Sequence, residues 1–342
     1  MKYYFTEYNK MQYYNASNKA REDVNKILQK KGYKFLPFYD NSKNKFLRTI
    51  EIVFFLKKLK NILKQGDELF LQYPYFKPKI NMILMKKIVK IKEKNNIKIT
   101  CLIHDLFSLR ELTNTNGKED EINLLNYFDN IICHNDKMKE FLKNSGLKSN
   151  ILVLWPFDYL YNKNIIEHSY DKSNIKIIIA GNLSAHKSEF LYKLKESSRL
   201  IYNLYGIGYN NQNRTDIIYK GKFHPDELID HLDGNYGLVW DGNDTKTCSG
   251  TFGEYLRYNN PHKFSLYIAA GIPLIVWKES ALANYVIKNN LGLVVENLDD
   301  LDSILAKTSI DDYIKYKNSV LKVRDEIING NHLISCLNQI DD

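Results

Sequence analysis

Cysteine is scarce in this chain, with four in 342 residues. Cys101, Cys133, Cys248 and Cys336 show none of the short spacings of a metal or redox site. Three lie in or beside apolar runs, so buried free thiols in a reducing compartment are expected rather than a disulfide framework. Long apolar stretches are missing too. No segment approaches the roughly eighteen apolar residues needed to span a bilayer, and the opening MKYYFTEYNK holds no uninterrupted apolar core of the signal-peptide kind. A cytoplasmic location, or one peripheral on the cytoplasmic membrane face, is the expectation. Acidic residues are in deficit, 40 against 49 basic ones, for a net charge of +9. That charge suits nucleotide diphosphates, an anionic membrane or nucleic acid. For the last there is no aromatic–basic RNA-binding pattern and no helix-turn-helix signature, so no nucleic-acid partner is expected.

What is present is a regular alternation. A length of 342 residues suits two α/β domains. Strands are expected at Met1 to Thr6, Tyr33 to Phe38, Glu68 to Gln72, Ile97 to Ile103, Ile131 to Cys133 and Ile151 to Leu154. A polar, tyrosine-rich loop follows the first strand. Helices are expected from about Asn18 to Lys30, Phe46 to Lys64, Asn81 to Lys94 and Asp136 to Asn144. Strands alternating with helices argue a parallel, doubly wound sheet. An irregular polar segment from Trp155 to Ser173 reads as a linker. The pattern then restarts: strands at Ile175 to Ala180, Ile201 to Leu204, Ile217 to Tyr219 and Leu291 to Val295, and helices from His186, at Pro225 to Leu232, at Ser280 to Asn289 and from Leu301 to the end.

The most informative stretch is Tyr236 to Trp277. A short apolar run breaks at Asp241-Gly242 and gives way to a polar loop of about twenty residues. Pro261-His262-Lys263 opens a helix that stops at Gly271, and a second apolar run follows. Loops that long in compact domains are usually functional. Ligands of α/β sheets gather at the carboxyl ends of strands, and here that edge carries Trp240, Asp241, Asn260, His262 and Lys263. A lysine in a helix's first turn opposes the dipole unless something negative binds it, which argues an anion site. Ala180-Gly181-Asn182-Leu183-Ser184 is a second small-residue turn at a helix start, with His186 and Lys187 beside it. His104-Asp105 ends a buried-looking strand; the pair reads equally as a general base or as a helix cap. Asp241 and Asp244 sit three apart rather than two, a poor match to a divalent-metal carboxylate pair. The lysine-rich helices at 46–64 and 79–94 read first as solvated faces and second as a membrane-facing patch.

The segment GLVWDGNDTKTCSG…GEYLRYNNPHKFSLYIAAGIPLIVW resembles the donor-site region of a bacterial glycosyltransferase family with the GT-B fold. AGNLSAHKSEFLY, LIHDLFSLR and NKAREDV are similar to the same family in the same order, so the resemblance spans nearly the whole chain. It is nearest to β-1,6-galactofuranosyltransferases of O-antigen and capsule assembly, and more distant from glucosyltransferases of serine-rich adhesins. It implies an α/β protein of two Rossmann-like domains with a cleft between them: an acceptor domain at 1–156, a nucleotide-sugar domain at 157–324, and a C-terminal helix at 325–342 packing back on the first.

Carried onto this sequence, the resemblance implies that Asn182, His186, Lys187 and Lys263 surround the diphosphate of a UDP-sugar. Trp240 and Asp241 would lie near base or ribose, with Asn260 and His262 beside them and Tyr267 in a packing role. Asp105 or His104 would take the acceptor proton, and Arg21 and Lys19 would contact acceptor or phosphate. The paired glutamates of many retaining relatives are absent, their positions being Tyr258 and Leu266. That departure leaves an inverting displacement with a cationic clamp and no metal cofactor. The expected partners are a UDP-sugar donor, a lipid-linked oligosaccharide acceptor and, through the basic helices, the inner membrane; a homo-oligomer is compatible with all of this. A UDP-glucose-dependent glucosyltransferase and a non-catalytic glycan-binding partner of another transferase stand as the alternatives.

Overall fold

The computed structural model describes residues 1–8, 16–39, 45–75, 78–110, 115–210 and 213–341. The tyrosine-rich loop expected after the first strand falls at 9–15, and the side chain of Phe46 likewise lies outside the described residues. The chain divides into two compact units. One comprises Met1–Tyr13, Arg21–Trp155 and Leu333–Asp342, and the other Tyr14–Ala20 and Pro156–His332. The division falls between Trp155 and Pro156. The short segment ending at Ala20 groups with the second unit, and the return to the first unit comes at Leu333 rather than 325.

The first unit carries β1 (Lys2–Tyr4), β2 (Glu7–Tyr8), α1 (Ala16–Lys30, which runs across the division at Ala20), β3 (Lys34–Phe35), β4 (Phe38–Tyr39), α2 (Lys45–Ile62) and β5 (Glu68–Tyr73). It continues with α3 (Pro78–Asn95), β6 (Lys98–Ile103), α4 (Phe107–Arg110), α5 (Thr115–Leu125), β7 (Asn130–Cys133), α6 (Asp136–Asn144) and β8 (Asn150–Val153). Its main sheet is parallel, in the order β3-β1-β5-β6-β7-β8, and β2 pairs with β4 separately. A parallel sheet covered on both faces needs apolar residues at successive positions. Leu69, Phe70 and Leu71 of β5 and Cys101, Leu102 and Ile103 of β6 are fully buried, as that rule requires. Helix α6 starts where it should because the Asn135 side chain accepts from the Met138 amide at 2.9 Å. The two-residue strands β3 and β4 replace the single strand expected from Tyr33 to Phe38, and α5 was not foreseen.

The second unit carries β9 (Ile175–Asn182), α7 (Ala185–Ser188), β10 (Leu200–Ile207), β11 (Ile217–Gly221), β12 (Tyr236–Val239), α8 (Gly250–Tyr255), α9 (His262–Ala269), β13 (Leu274–Trp277), α10 (Ala283–Asn289), β14 (Gly292–Val295), α11 (Leu301–Lys307) and α12 (Ile310–Ile327). Helix α13 (Asn331–Asp341) leads back into the first unit. Its parallel sheet has the order β11-β10-β9-β12-β13-β14. The chain starts in the middle, winds to one edge, then returns and winds to the other. The connections therefore diverge between β9 and β12, which opens a crevice at their carboxyl ends.

Three helical expectations are corrected here. The helix from His186 is one turn, α7, followed by a 3-10 segment at Glu189–Lys193. The one at Pro225 to Leu232 tightens to a 3-10 turn at Leu228–His231, because the His224 carbonyl receives both the Glu227 and Leu228 amides at 2.9 Å. The C-terminal run splits into α11, α12 and α13, and α12 is set off by a capping box between Ser309 and Asp312.

Candidate active site

The crevice between β9 and β12 holds most of the residues singled out in the second unit. The loop after β12 is not one open span: it contains α8, and it is fastened to the loop after β9. The Gly242 amide donates to the Lys187 carbonyl at 3.0 Å, and the Phe190 amide donates to the Gly242 carbonyl at 3.1 Å. The rest of that loop is tied as well. Lys193 Nζ donates to the Asn243 carbonyl at 2.7 Å, and the Leu298 amide to the Thr245 carbonyl at 2.7 Å. The edge is pre-formed.

Lys263, in the first turn of α9, is held by Asp241. Its Nζ lies 3.0 Å from Asp241 Oδ1 and donates to the Trp240 carbonyl at 2.7 Å. Both side chains are largely buried, at 12% and 7% exposure. Burial lowers the Lys263 pKa, Asp241 opposes that, and nearby Lys187 adds to the lowering. The negative partner that the sequence argument demanded for a first-turn lysine is thus supplied from within the chain. Asp241 serves as the counter-ion of Lys263.

Lys187 lies with its Nζ 5.5 Å from the centre of the Phe252 ring, and His186 meets the same ring edge-on at 5.5 Å. Phe252, on α8, was not singled out from sequence, where an aromatic within a glycine-rich loop gave no direction. Asn182 is exposed, and its Oδ1 accepts the Ser184 amide at 3.0 Å, which closes the turn into α7.

Two aromatics expected at the site are packed behind it instead. Trp240 is fully buried, edge-on to Trp277 at 6.4 Å, and its Nε1 donates to the Asp244 carbonyl at 3.0 Å. An indole enclosed in this way offers no face to a base or ribose, so Trp240 contributes its carbonyl to Lys263 and nothing more. Tyr267 is also fully buried, and its hydroxyl accepts the Ala180 amide at 2.9 Å. Its ring lies so close to β12 that a Cβ added at Gly237 would come 2.2 Å from Tyr267 Cγ. Tyr267 sets the spacing between α9 and the two strands that frame the crevice.

Asn260 is buried at 3% exposure. His262 stacks obliquely on Tyr159 at 5.0 Å, and its Nε2 is buried with no hydrogen-bond partner among the described residues. Burial, with Lys19 nearby, pushes the His262 pKa down to about 3, so the ring is neutral at pH 7. Lys19 belongs to the second unit and is 3% exposed. It pairs with Asp226 at 3.1 Å and donates to the Leu160 carbonyl at 2.9 Å. Its ammonium is committed to internal contacts, which corrects the expected contact with acceptor or phosphate.

In the first unit, connections diverge between β1 and β5, and the residues at that edge are linked differently. Arg21 donates to the Gln72 carbonyl at 3.0 Å and to the Pro74 carbonyl, and it lies over the Tyr75 ring. Arg21 therefore ties α1 to the end of β5 rather than presenting its guanidinium outward. Gln72 is buried. Its amide nitrogen donates to Asn25 Oδ1 at 2.8 Å, so its Oε1 is the acceptor for His104 Nε2, also at 2.8 Å. This places the proton of neutral His104 on Nε2. Asp105 is partly exposed and accepts from Arg110 at 2.9 Å. Glu121 accepts the Phe107 and Ser108 amides at 3.0 and 2.9 Å, which caps the start of α4. Among the described residues, no group of three or more His, Cys, Asp or Glu side chains is arranged to hold a metal ion.

Two parallel six-stranded sheets of these orders give the GT-B fold. Solved structures agree in fold. The lipopolysaccharide outer core galactosyltransferase WaaB, apo form, aligns with a TM-score of 0.62 at 14% identity over 99% of both chains. Anabaena Alr3699/HepE in complex with UDP and glucose aligns with a TM-score of 0.62 at 10% identity, over 98% of this chain and 99% of that one. Residues 2–155 match the family description "Glucosyltransferase 3-like, N-terminal domain", and residues 177–340 match "Glucosyltransferase 3-like, C-terminal domain". The chain belongs to the glucosyltransferase 3-like family and is an enzyme of the hexosyltransferase class. Among its relatives, the beta-1,6-galactofuranosyltransferase WbbI of Escherichia coli (strain K12) is 27% identical over 308 residues, which is 90% of this chain and 88% of the relative. Glucosyltransferase 3 of Streptococcus gordonii is 23% identical over 302 residues, 86% of this chain and 84% of the relative.

Proposed function

We propose that the protein transfers a galactofuranosyl group from UDP-galactofuranose to a sugar hydroxyl of a lipid-linked cell-surface polysaccharide intermediate, by inverting displacement. The observation that carries the donor half is the crevice at the β9–β12 divergence. There the Asn182 turn, Lys187 and the Asp241-held Lys263 lie on one pre-formed edge. UDP appears in the solved HepE complex, and the relative aligned over 90% of this chain is a galactofuranosyltransferase. In this reading Lys187 and Lys263 balance the charge of the departing diphosphate, in place of a metal ion. The acceptor oxygen bonds to the anomeric carbon as the bond to UDP breaks, and its proton passes to Asp105 or His104. UDP-glucose is the second donor reading, supported by the family description and the S. gordonii relative.

A membrane-bound acceptor also fits the α2–α3 face. Lys57, Lys60, Lys87, Lys90 and Lys94 line one groove between these helices, with Val53, Phe54 and Ile83 exposed at 59%, 67% and 53%. No helix among the described residues is long and apolar enough to cross a membrane. The first experiment is calorimetric titration with UDP, ADP, GDP and TDP, with and without EDTA, followed by turnover of UDP-galactofuranose and UDP-glucose. UDP-selective binding that ignores EDTA is expected, with release of UDP from UDP-galactofuranose in the presence of acceptor. Absence of nucleotide binding sinks the donor-site reading and favours a non-catalytic partner.

A further inference from the structure

With Trp240 enclosed, the aromatic expected near base or ribose offers no ring face to the candidate donor crevice. The same sheet edge holds another set. Tyr192, Tyr209 and Tyr219 form a continuous row, with ring centres 5.9 Å apart at 25° and 5.7 Å apart at 35°. They come from three separate segments: the 3-10 turn after α7, the residues after β10, and β11. Two hydroxyls are fixed to backbone, Tyr219 donating to the Gly206 carbonyl and Tyr192 to the Leu183 carbonyl, both at 2.8 Å. Those bonds hold two of the rings in set orientations. Tyr219, at the outer end, is 46% exposed.

The row is built against the Asn182 turn. Strand β10 leaves the sheet through Gly206-Ile207-Gly208-Tyr209. A Cβ on Gly206 would lie 1.8 Å from the Gly181 carbonyl oxygen, and Gly206 has φ +148. Only glycine lets the chain pass that close to the turn, and this approach sets Tyr209 beside Tyr192 and the candidate phosphate-binding residues. Tyr205, Tyr236, Tyr267 and Trp277 of the same unit are, by contrast, all buried. A row of tyrosines with an exposed end, adjoining an anion-binding turn at the ligand edge of a sheet, matches a base joined to a diphosphate. Stacking on tyrosine serves a planar base, and the turn serves the phosphates.

We infer that the Tyr192–Tyr209–Tyr219 row is the nucleobase platform of the donor site. This assignment rests on the donor-site reading above and extends it. The test is titration of the full chain with UDP and, separately, with inorganic pyrophosphate, which has the phosphates and no base. Tyr209→Ala and Tyr219→Ala should each weaken UDP binding about tenfold and leave pyrophosphate binding unchanged. Tyr209→Phe and Tyr219→Phe, which keep the ring, should stay within about twofold of wild type. Melting curves check that each variant is folded. Unchanged UDP affinity in both alanine variants overturns the platform while leaving the donor site standing. A parallel loss of pyrophosphate binding, marking damage to the turn, overturns it as well. A wild-type chain that binds neither probe defeats the donor-site reading and the platform with it.

Discussion

The ligand edges of the two sheets are built from similar parts and put them to different uses. In the second unit a charged pair is held in low exposure, Asp241 fixing Lys263, and the Gly242–Lys187 backbone bond clamps two loops together. In the first unit, the Arg21 guanidinium is spent on the carbonyls of Gln72 and Pro74. The remaining pair, Asp105 and Arg110, is half open to water. A leaving diphosphate needs fixed positive charge before it forms, because reorganising charge during the reaction would raise the barrier. A proton acceptor needs only reach and access, so a looser, wetter carboxylate suffices. The difference is one of exposure: the edge of the second unit buries its charged pair, and that of the first leaves Asp105 and Arg110 open to water.

That contrast is breakable. The largest effect should come from Asp241→Ala, which leaves Lys263 buried without its counter-ion. A loss of roughly 3–5 kcal/mol is expected in denaturant unfolding. Asp105→Ala, at an exposed pair, should cost less than about 1 kcal/mol while abolishing most turnover. Equal destabilisation by the two would erase the distinction.

Next is acid sensitivity in the first unit. His134 is buried, its Nε2–H donates to the Ile103 carbonyl at 3.0 Å, and burial pushes its pKa down to about 4. The unfolded chain takes up this proton near pH 6.5 and the folded one does not. Stability is therefore fully present above pH 6.5 and falls as pH drops toward 4, by about 3 kcal/mol over that window. Stability measured against pH should lose much of this slope in His134→Gln; an unaltered slope assigns it to other groups.

Gly237→Ala drives a methyl into the Tyr267 ring and should cost about 1–3 kcal/mol, seen as a lowered melting temperature. A melting temperature equal to wild type would mean that α9 shifts freely against β12. The smallest effects on stability sharpen the comparison most. Arg21→Ala should destabilise by about 1–2 kcal/mol through its lost carbonyl contacts, with UDP affinity untouched. Lys187→Ala should stay within about 0.5 kcal/mol in stability yet cut UDP affinity severalfold. Reversal of either result moves the phosphate contact to the first unit.

Much of this was legible in the residues. Buried parallel strands need apolar residues on both faces, so Ile175 to Ala180 and Leu274 to Trp277 announce themselves. Asn135 marks the start of α6, and Pro261 and Gly271 bracket α9, because backbone groups at helix ends need particular partners and dihedrals. The short helix α8 was hidden, since six residues carry too little periodicity to separate from a loop. Trp240 was misread because an aromatic at a strand's end reads the same whether its ring turns inward or outward. The tyrosine row left one trace, two glycines two residues apart just before Tyr209, and its three rings meet only through the strand order.

The sequence by itself determined the two α/β halves and the strand ends that lead to Asn182 and Asp241. These follow from local rules of burial, capping and turn geometry that act over a few residues. Tertiary structure alone decided that Asp241 answers the charge of Lys263, that Arg21 and Lys19 face inward, and that Tyr192, Tyr209 and Tyr219 line up. Each of these depends on which strands are neighbours, and contacts between residues far apart in the chain exist only once the sheet has set their distance.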